Sequence, residues 1–177
     1  MIRSAVLASL LVAAPLAAQL PPPPIPPEAK MQAMPYLMTA GMSDVYEITS
    51  SQIALQKSQD PAVRRYATEL IGHHTMTTNA TLAAAKKGGV TPPPPVLNAQ
   101  FRAMISELTA AGPGDFDRLY LGQQVPAHQD ALELQTAYAR SGDVPALRAS
   151  ARAAVPVVTR HLREARQMMN GTRGRRM

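Results

Sequence analysis

Few residues of this chain are able to do chemistry, and histidines lead them: His73 and His74 stand side by side, while His128 and His161 lie far downstream. His74, His128 and His161 fall on three separate apolar stripes at helical spacing, and Glu47 falls on a fourth stripe upstream of them. Imidazole with carboxylate suits zinc, copper, iron or nickel, and three His with one Glu fits tetrahedral zinc or an open transition-metal site. The same side chains could instead close a buried hydrogen-bond network, Glu47 accepting from an imidazolium while Ser51, Tyr120 and Gln124 satisfy the rest. Ring separations choose between the two: within about 5 Å favours coordination, beyond about 8 Å favours the network. No nucleophile and no second carboxylate join the pattern, so enzymatic acid-base work is the weakest of the readings.

His73 belongs elsewhere on this reasoning. One residue along a helix is a turn of about 100°, which sets His73 away from His74 and beside Glu69, toward a helix seam or solvent. A surface Glu69–His73 pair is its expected role, with a soft copper site shared with Met76 as the peripheral alternative. Met38, Met42, Met168 and Met169 read as gap-filling core or helix-end residues.

Those residues need helices to position them. A first helix is expected over 36–59, where Met38, Met42, Val45, Ile48, Gln52 and Leu55 recur at steps of three and four. Asp60-Pro61 ends it and opens the second, Asp as N-cap and Pro at the first helical position, and Gly88-Gly89 stops the second after Lys87. A proline run at 92–95 and a short amphipathic helix over 98–109 follow. A third long helix starts after the cap candidate Asp115 and breaks at Gly142-Asp143, and a fourth runs over 145–169. Pro126 and Pro156 lie inside the helices that carry His128 and His161, removing a backbone donor from each.

Four helices of about 24 to 28 residues would each be about 36 to 42 Å long. Glu47, His74 and His128 then lie at their helix midpoints, and His161 about 6 to 7 Å along the axis from that level. The middle connection is long enough to run the length of such a helix, so the expected fold is all-α, a ferritin-like antiparallel four-helix bundle with a long crossover between the second and third helices.

Composition agrees with one helical domain. The chain has 177 residues, 46% of them hydrophobic and only 4% aromatic, and the apolar volume comes from Ala, Leu, Val and Met. It has no cysteine, which excludes disulfides, thiolate zinc, iron–sulfur clusters and cysteine nucleophiles together. Residues 1–18 carry Arg3, an apolar run and small residues at Ala17 and Ala18, the pattern of a signal peptide, so an exported protein is expected, periplasmic where the cell has an outer membrane. Residues 19–35 read as a proline-rich disordered linker, 36–170 as the helical domain and 171–177 as a basic disordered tail. The net charge of +6 is spread over helix faces and that tail, so a nucleic-acid partner is not expected. An envelope surface met through Arg148, Arg152, Arg163 and Arg166, or a protein partner, stays open.

Several separated motifs resemble a known family. Gly41-Met42, then Tyr46-Glu47-Ile48 with Ser50-Ser51-Gln52 and Ala54-Leu55, then Pro61-Ala62-Val63 with Tyr66-Ala67, open the series. His74-Thr75, Phe116-Asp117 with Tyr120, Gln124-Val125 with Ala127-His128-Gln129, Pro145-Ala146-Leu147, and Pro156 with His161-Leu162 complete it. In that order they resemble the exported ferritin-like family called domain of unknown function 4142, and the resemblance implies a four-helix ferritin-like fold and export while leaving function open. The family usually has Asp where this chain has His73, and many members have Glu at the position of Thr49. The paired Glu-x-x-His of ferritin-type di-iron centres is also missing, so ferroxidase activity is not implied. His73-His74-Thr75-Met76 is also similar, over four residues only, to a His-His-x-Met motif of another small exported helical family associated with copper.

Overall fold

The computed structural model describes residues 19–174, with side chains described as far as residue 171; the signal-like segment 1–18 and residues 175–177 lie outside the described residues. Five helices follow one another: α1 (Ala33–Lys57), α2 (Pro61–Lys87), α3 (Ala99–Ala110), α4 (Phe116–Ser141) and α5 (Pro145–Gly174). Among the described residues there is no strand.

Local chemistry sets the boundaries. Asp60 accepts from the Ala62 N–H at 2.8 Å with Pro61 at the first helical position, so α2 starts on a satisfied cap. It ends where the Gly88 N–H donates back to the carbonyls of Ala84 and Ala85 and Gly89 takes φ 72°, a conformation that costs glycine nothing. Asn98 caps α3 by accepting from the Phe101 N–H at 2.9 Å. Asp115 does not cap α4: its backbone is already helical (φ −114°, ψ −18°) and its carboxylate pairs with Arg118 at 3.1 Å. At the other end of α4, Arg148 and Arg152 donate to the carbonyls of Gly142 and Ala139, at 2.6 and 3.2 Å, which ties two of the envelope-facing candidates to the fold itself. α4 and α5 run through Pro126 and Pro156 without a break.

Two apolar clusters show how the long helices run. One gathers the start of α1 (Tyr36, Leu37), the end of α2 (Ala85), the end of α4 (Leu134, Tyr138) and the start of α5 (Leu147, Ala151). The other gathers Ala54 of α1, Val63 and Leu70 of α2, Phe116 and Leu121 of α4, and Ala165 of α5. Thus α1 is antiparallel to α2 and α4 and parallel to α5, and α4 begins at the end opposite to the one where α2 stops. The connection carrying α3 therefore returns along the helices. α1 packs on α2 and α4, and α5 packs on the same two, so each long helix has two long neighbours.

The segment before α1 differs from the expected free linker. Residues 27–30 form a 3-10 turn with Ala29 fully buried, Ile25 packs beside it, and Gln19 and Gln100 tie the strand of prolines to α4 and α3 through bonds of 2.9 and 2.6 Å. The reason is composition: Ile25, Ala29 and Ala33 interrupt the prolines at intervals that let them enter the first cluster, whereas prolines alone would stay hydrated. The basic tail is also shorter than expected, because α5 continues past residue 170 to Gly174. Met38 is not a core residue; half of it is exposed.

Candidate metal centre

Between the two apolar clusters, each long helix presents ligand-type side chains at one level. The helix midpoints fall at residue 45 of α1, residue 74 of α2, between 128 and 129 of α4, and between 159 and 160 of α5. Glu47, His74, His128 and His161 all lie within two residues of them. α5 is five residues longer than its apolar stripe indicates, which brings its midpoint to within two residues of His161. All four side chains are buried, with relative exposures of 5% or less.

The rings of His74, His128 and His161 have centroids 5.4 to 5.7 Å apart, and one ligand nitrogen from each lies within 4.8 Å of the others. Bonds of about 2.0–2.1 Å to one tetrahedral ion place nitrogens about 3.4 Å apart, so closure asks for only a modest ring adjustment.

Each ring is held from behind. A carbonyl only accepts, so the 3.0 Å contact of His128 Nδ1 with the Gln124 carbonyl fixes the proton on Nδ1 and leaves Nε2 as a lone pair. His74 Nδ1 donates to Asp44 Oδ1 at 2.7 Å, and the other oxygen of Asp44 accepts from Thr78. His161 Nε2 shares a 2.9 Å hydrogen bond with His73 Nδ1. The opposite nitrogens, His74 Nε2, His128 Nε2 and His161 Nδ1, are buried with no hydrogen-bond partner among the described residues. Holding one imidazole nitrogen with a carboxylate or carbonyl and presenting the other is how proteins orient metal-binding histidines.

Glu47 shares this state. Its Oε1 lies 3.7 Å from His128 Nδ1, too far for a hydrogen bond, and both carboxylate oxygens are buried without a partner. The side chains expected to satisfy it are engaged elsewhere: Ser51 and Tyr120 share a 2.9 Å hydrogen bond, and Gln124 donates to Ser50 at 3.2 Å. Tyr120 consequently orients no imidazole, and Gln124 does so through its backbone rather than its amide.

Electrostatics follows from burial. Burial pushes the Glu47 carboxyl up to about 7, offset in part by His74. Burial takes His128 down to about 3 and His161 to about 2, with neighbouring imidazoles adding to both shifts, so each is neutral at ordinary pH and its lone pair is available. Burial also opposes charge on His74, but the Asp44 hydrogen bond and the charges of Asp44 and Glu47 outweigh it and leave that ring raised.

Two placements differ from the sequence reading. His73 does not pair with Glu69; it lies against His161, with Arg160 Nη2 3.2 Å from both its ring nitrogens, so it backs the cluster instead of facing away. Met76 is 61% exposed and takes no part in the cluster. Asp44 was missed, so Glu47 is not the lone carboxylate of α1. The signal was present, since Asp44 and Glu47 are spaced i, i+3 and share a helix face.

The family model for the domain of unknown function DUF4142 matches residues 18–168. The chain belongs to the DUF4142 family. No curated protein matches it. Among solved structures, this DUF4142 chain is similar to CopM in the Cu(I)-bound form, with a TM-score of 0.68 and 16% identity over 79% of this chain and 96% of CopM. It is similar to CopM in the Ag-bound form with a TM-score of 0.65 at 16% identity, covering 79% of this chain and 96% of that one. A DUF305 fragment from Deinococcus radiodurans gives a TM-score of 0.68 at 17% identity, covering 84% of this chain and 99% of the fragment. These likenesses concern the fold. Among the described residues of the DUF4142 chain, no helix is long and apolar enough to cross a membrane.

Proposed function

We propose that this protein is an exported ferritin-like four-helix bundle that binds one transition-metal ion, copper foremost, through His74 Nε2, His128 Nε2 and His161 Nδ1, with Glu47 as the fourth donor. The observation that carries the reading is the set of three buried imidazole nitrogens, each without a hydrogen-bond partner and each on a ring anchored through its other nitrogen. A hydrogen-bond network made only of these side chains leaves those nitrogens and both Glu47 oxygens unsatisfied, at a cost of about 1–3 kcal/mol for each group. A cation bound by the three nitrogens satisfies those three together, and Glu47, which stands outside their 4.8 Å group, turns toward it to become the fourth donor.

The donor set fits copper, zinc or iron, since imidazole and carboxylate serve all three. Copper is favoured by the fold shared with CopM, whose structures hold Cu(I), Cu(II) and Ag. Bound there, the ion supplies a positive charge that holds Glu47 ionised, while the buried walls limit contact with water. Asp44 orients His74, and His73 orients His161. Export is supported by the charged start, apolar run and small residues of the first 18 positions. The proposed role is metal handling in the envelope, with Asp44, engaged by His74 and Thr78, as the carboxylate that orients a ligand ring.

Inductively coupled plasma measurement on protein purified without a His tag tests this reading. About one equivalent of metal after copper loading and gel filtration is expected. Less than about a tenth of an equivalent, with no gain on adding copper, zinc or iron, contradicts it and leaves a structural or interaction module.

A further inference from the structure

A buried centre needs a way in, and the hollows around this one differ in what they offer a cation. A cavity of about 30 Å³ abuts the cluster, lined by His73, His74, His161 and Asp44 and walled on one side by Thr77, Thr81 and Ala154. That space exceeds what one water-sized particle requires. The same Thr77, Thr81 and Ala154 form the floor of a larger groove of about 310 Å³ between α2 and α5. Those three side chains line both spaces, and Thr81 meets Ser150 across the seam in a 3.1 Å hydrogen bond. The groove exists because the seam is made of short residues, Ala80, Ala84, Ala146, Ser150 and Ala153, and the exposed Met76 stands at its rim.

We infer that the metal ion reaches His74, His128 and His161 through this α2–α5 groove, passing between Thr77, Thr81 and Ala154. The inference rests on the proposed metal centre and adds its access path. In a chain of net charge +6, neither the groove nor the cavity is lined by Lys or Arg, and the one carboxylate on the way is Asp44. A cation therefore meets no Lys or Arg in the lining of the groove and comes upon one carboxylate, Asp44, in the cavity beyond it.

The competing approaches are less open. Beside His73 the Arg160 guanidinium lies 3.2 Å from both ring nitrogens, placing a fixed positive charge across that side. Between α1 and α4 another hollow borders the cavity through Ser43, Ala131 and Leu134, but residues 22–26 of the proline segment cover it.

The test is the rate of copper uptake by the full-length protein, followed by stopped-flow competition with a chromophoric chelator, beside the stoichiometry at equilibrium. Ala80 and Ala153 are exposed positions on the groove, so A80F/A153F roofs it without entering the core. Uptake slowed by about tenfold, with equal stoichiometry, equal affinity and an unchanged circular dichroism spectrum, is the expected result. Thr39→Phe, on the covered α1–α4 side, is expected to load at the wild-type rate. Equal rates in A80F/A153F and wild type, or slowing confined to Thr39→Phe, would overturn the path while leaving the centre intact. Absence of binding in wild type would remove both.

Discussion

At one end of the helices Tyr36 stacks on Tyr138 with ring centroids 3.9 Å apart, and both hydroxyls donate, to Gln135 at 2.7 Å and to Asp143 at 2.8 Å. At mid-height, Glu47, His74, Gln124, His128 and His161 are just as buried, yet six of their polar atoms have no partner among the described residues. Both regions use polar side chains inside the fold. The tyrosine end closes its hydrogen bonds within the protein, whereas the middle leaves one nitrogen on each of three imidazoles open, the difference on which the proposed metal centre rests.

The contrast can be broken by substitutions that should affect one region and spare the other. Leu147→Ala, in the tyrosine-end cluster and fully buried, is expected to cost about 2–5 kcal/mol in urea unfolding and to leave metal stoichiometry unchanged. Loss of metal binding in a still folded Leu147→Ala would show that the regions are not separable. Copper at about a hundredfold over its dissociation constant should raise wild-type stability by about 2.7 kcal/mol, reversed by a chelator. His74→Leu should fold and show neither the gain nor the chelator response in a thermal melt.

Asp44→Asn keeps the shape of the residue behind His74 but removes its charge. Copper affinity measured by chelator competition should fall about 10–100-fold, with the fold unaltered. An unchanged affinity would reduce Asp44 to a bystander.

The pH dependence of the metal-free protein sharpens the same difference. His128 and His161, lowered to about 3 and about 2 in the fold, titrate near 6.5 when unfolded, so the unfolded chain binds two protons that the fold refuses and stability rises with pH across that window. Glu47, raised from 4.5 to about 7, acts in the opposite sense between those values. His74, raised, adds stability that is present below its unfolded value and lost as pH rises through its folded one. Between about pH 4.5 and 6.5 the net is one proton, a gain of about 1.4 kcal/mol per pH unit, steepening below that range. Urea unfolding across pH measures it, and Glu47→Gln should about double the slope between pH 4.5 and 6.5. A flat profile would mean that the histidines are not held neutral. The smallest effect belongs to a boundary far from the centre: Asp60→Ala should cost about 1 kcal/mol through its lost cap and leave metal binding alone.

Much of this contrast is legible in the sequence. Asp60-Pro61, Gly88-Gly89 and Gly142 act through bonds to near neighbours, so they mark helix ends without knowledge of the fold. The placement of His74, His128 and His161 needs only helix length and the rule that midpoints of packed helices share a level. His73 escaped because its partner is 88 residues away in the chain, on a helix whose rotation the apolar stripe fixes only coarsely, whereas Asp44, one turn before Glu47 on the same face, was readable. The proline segment escaped for a related reason: Ile25 and Ala29 find their apolar partners in a cluster drawn from four separate helices.

The central claim is that the three unpartnered imidazole nitrogens bind one ion together. X-ray absorption on copper-loaded, untagged protein tests it most directly. The account predicts three imidazole nitrogens plus one oxygen near 2.0 Å, all on one metal, with the imidazole signal reduced in His128→Leu. A sulfur neighbour near 2.3 Å, which would move the ion to a methionine such as Met76, or a signal untouched by His128→Leu, would contradict it.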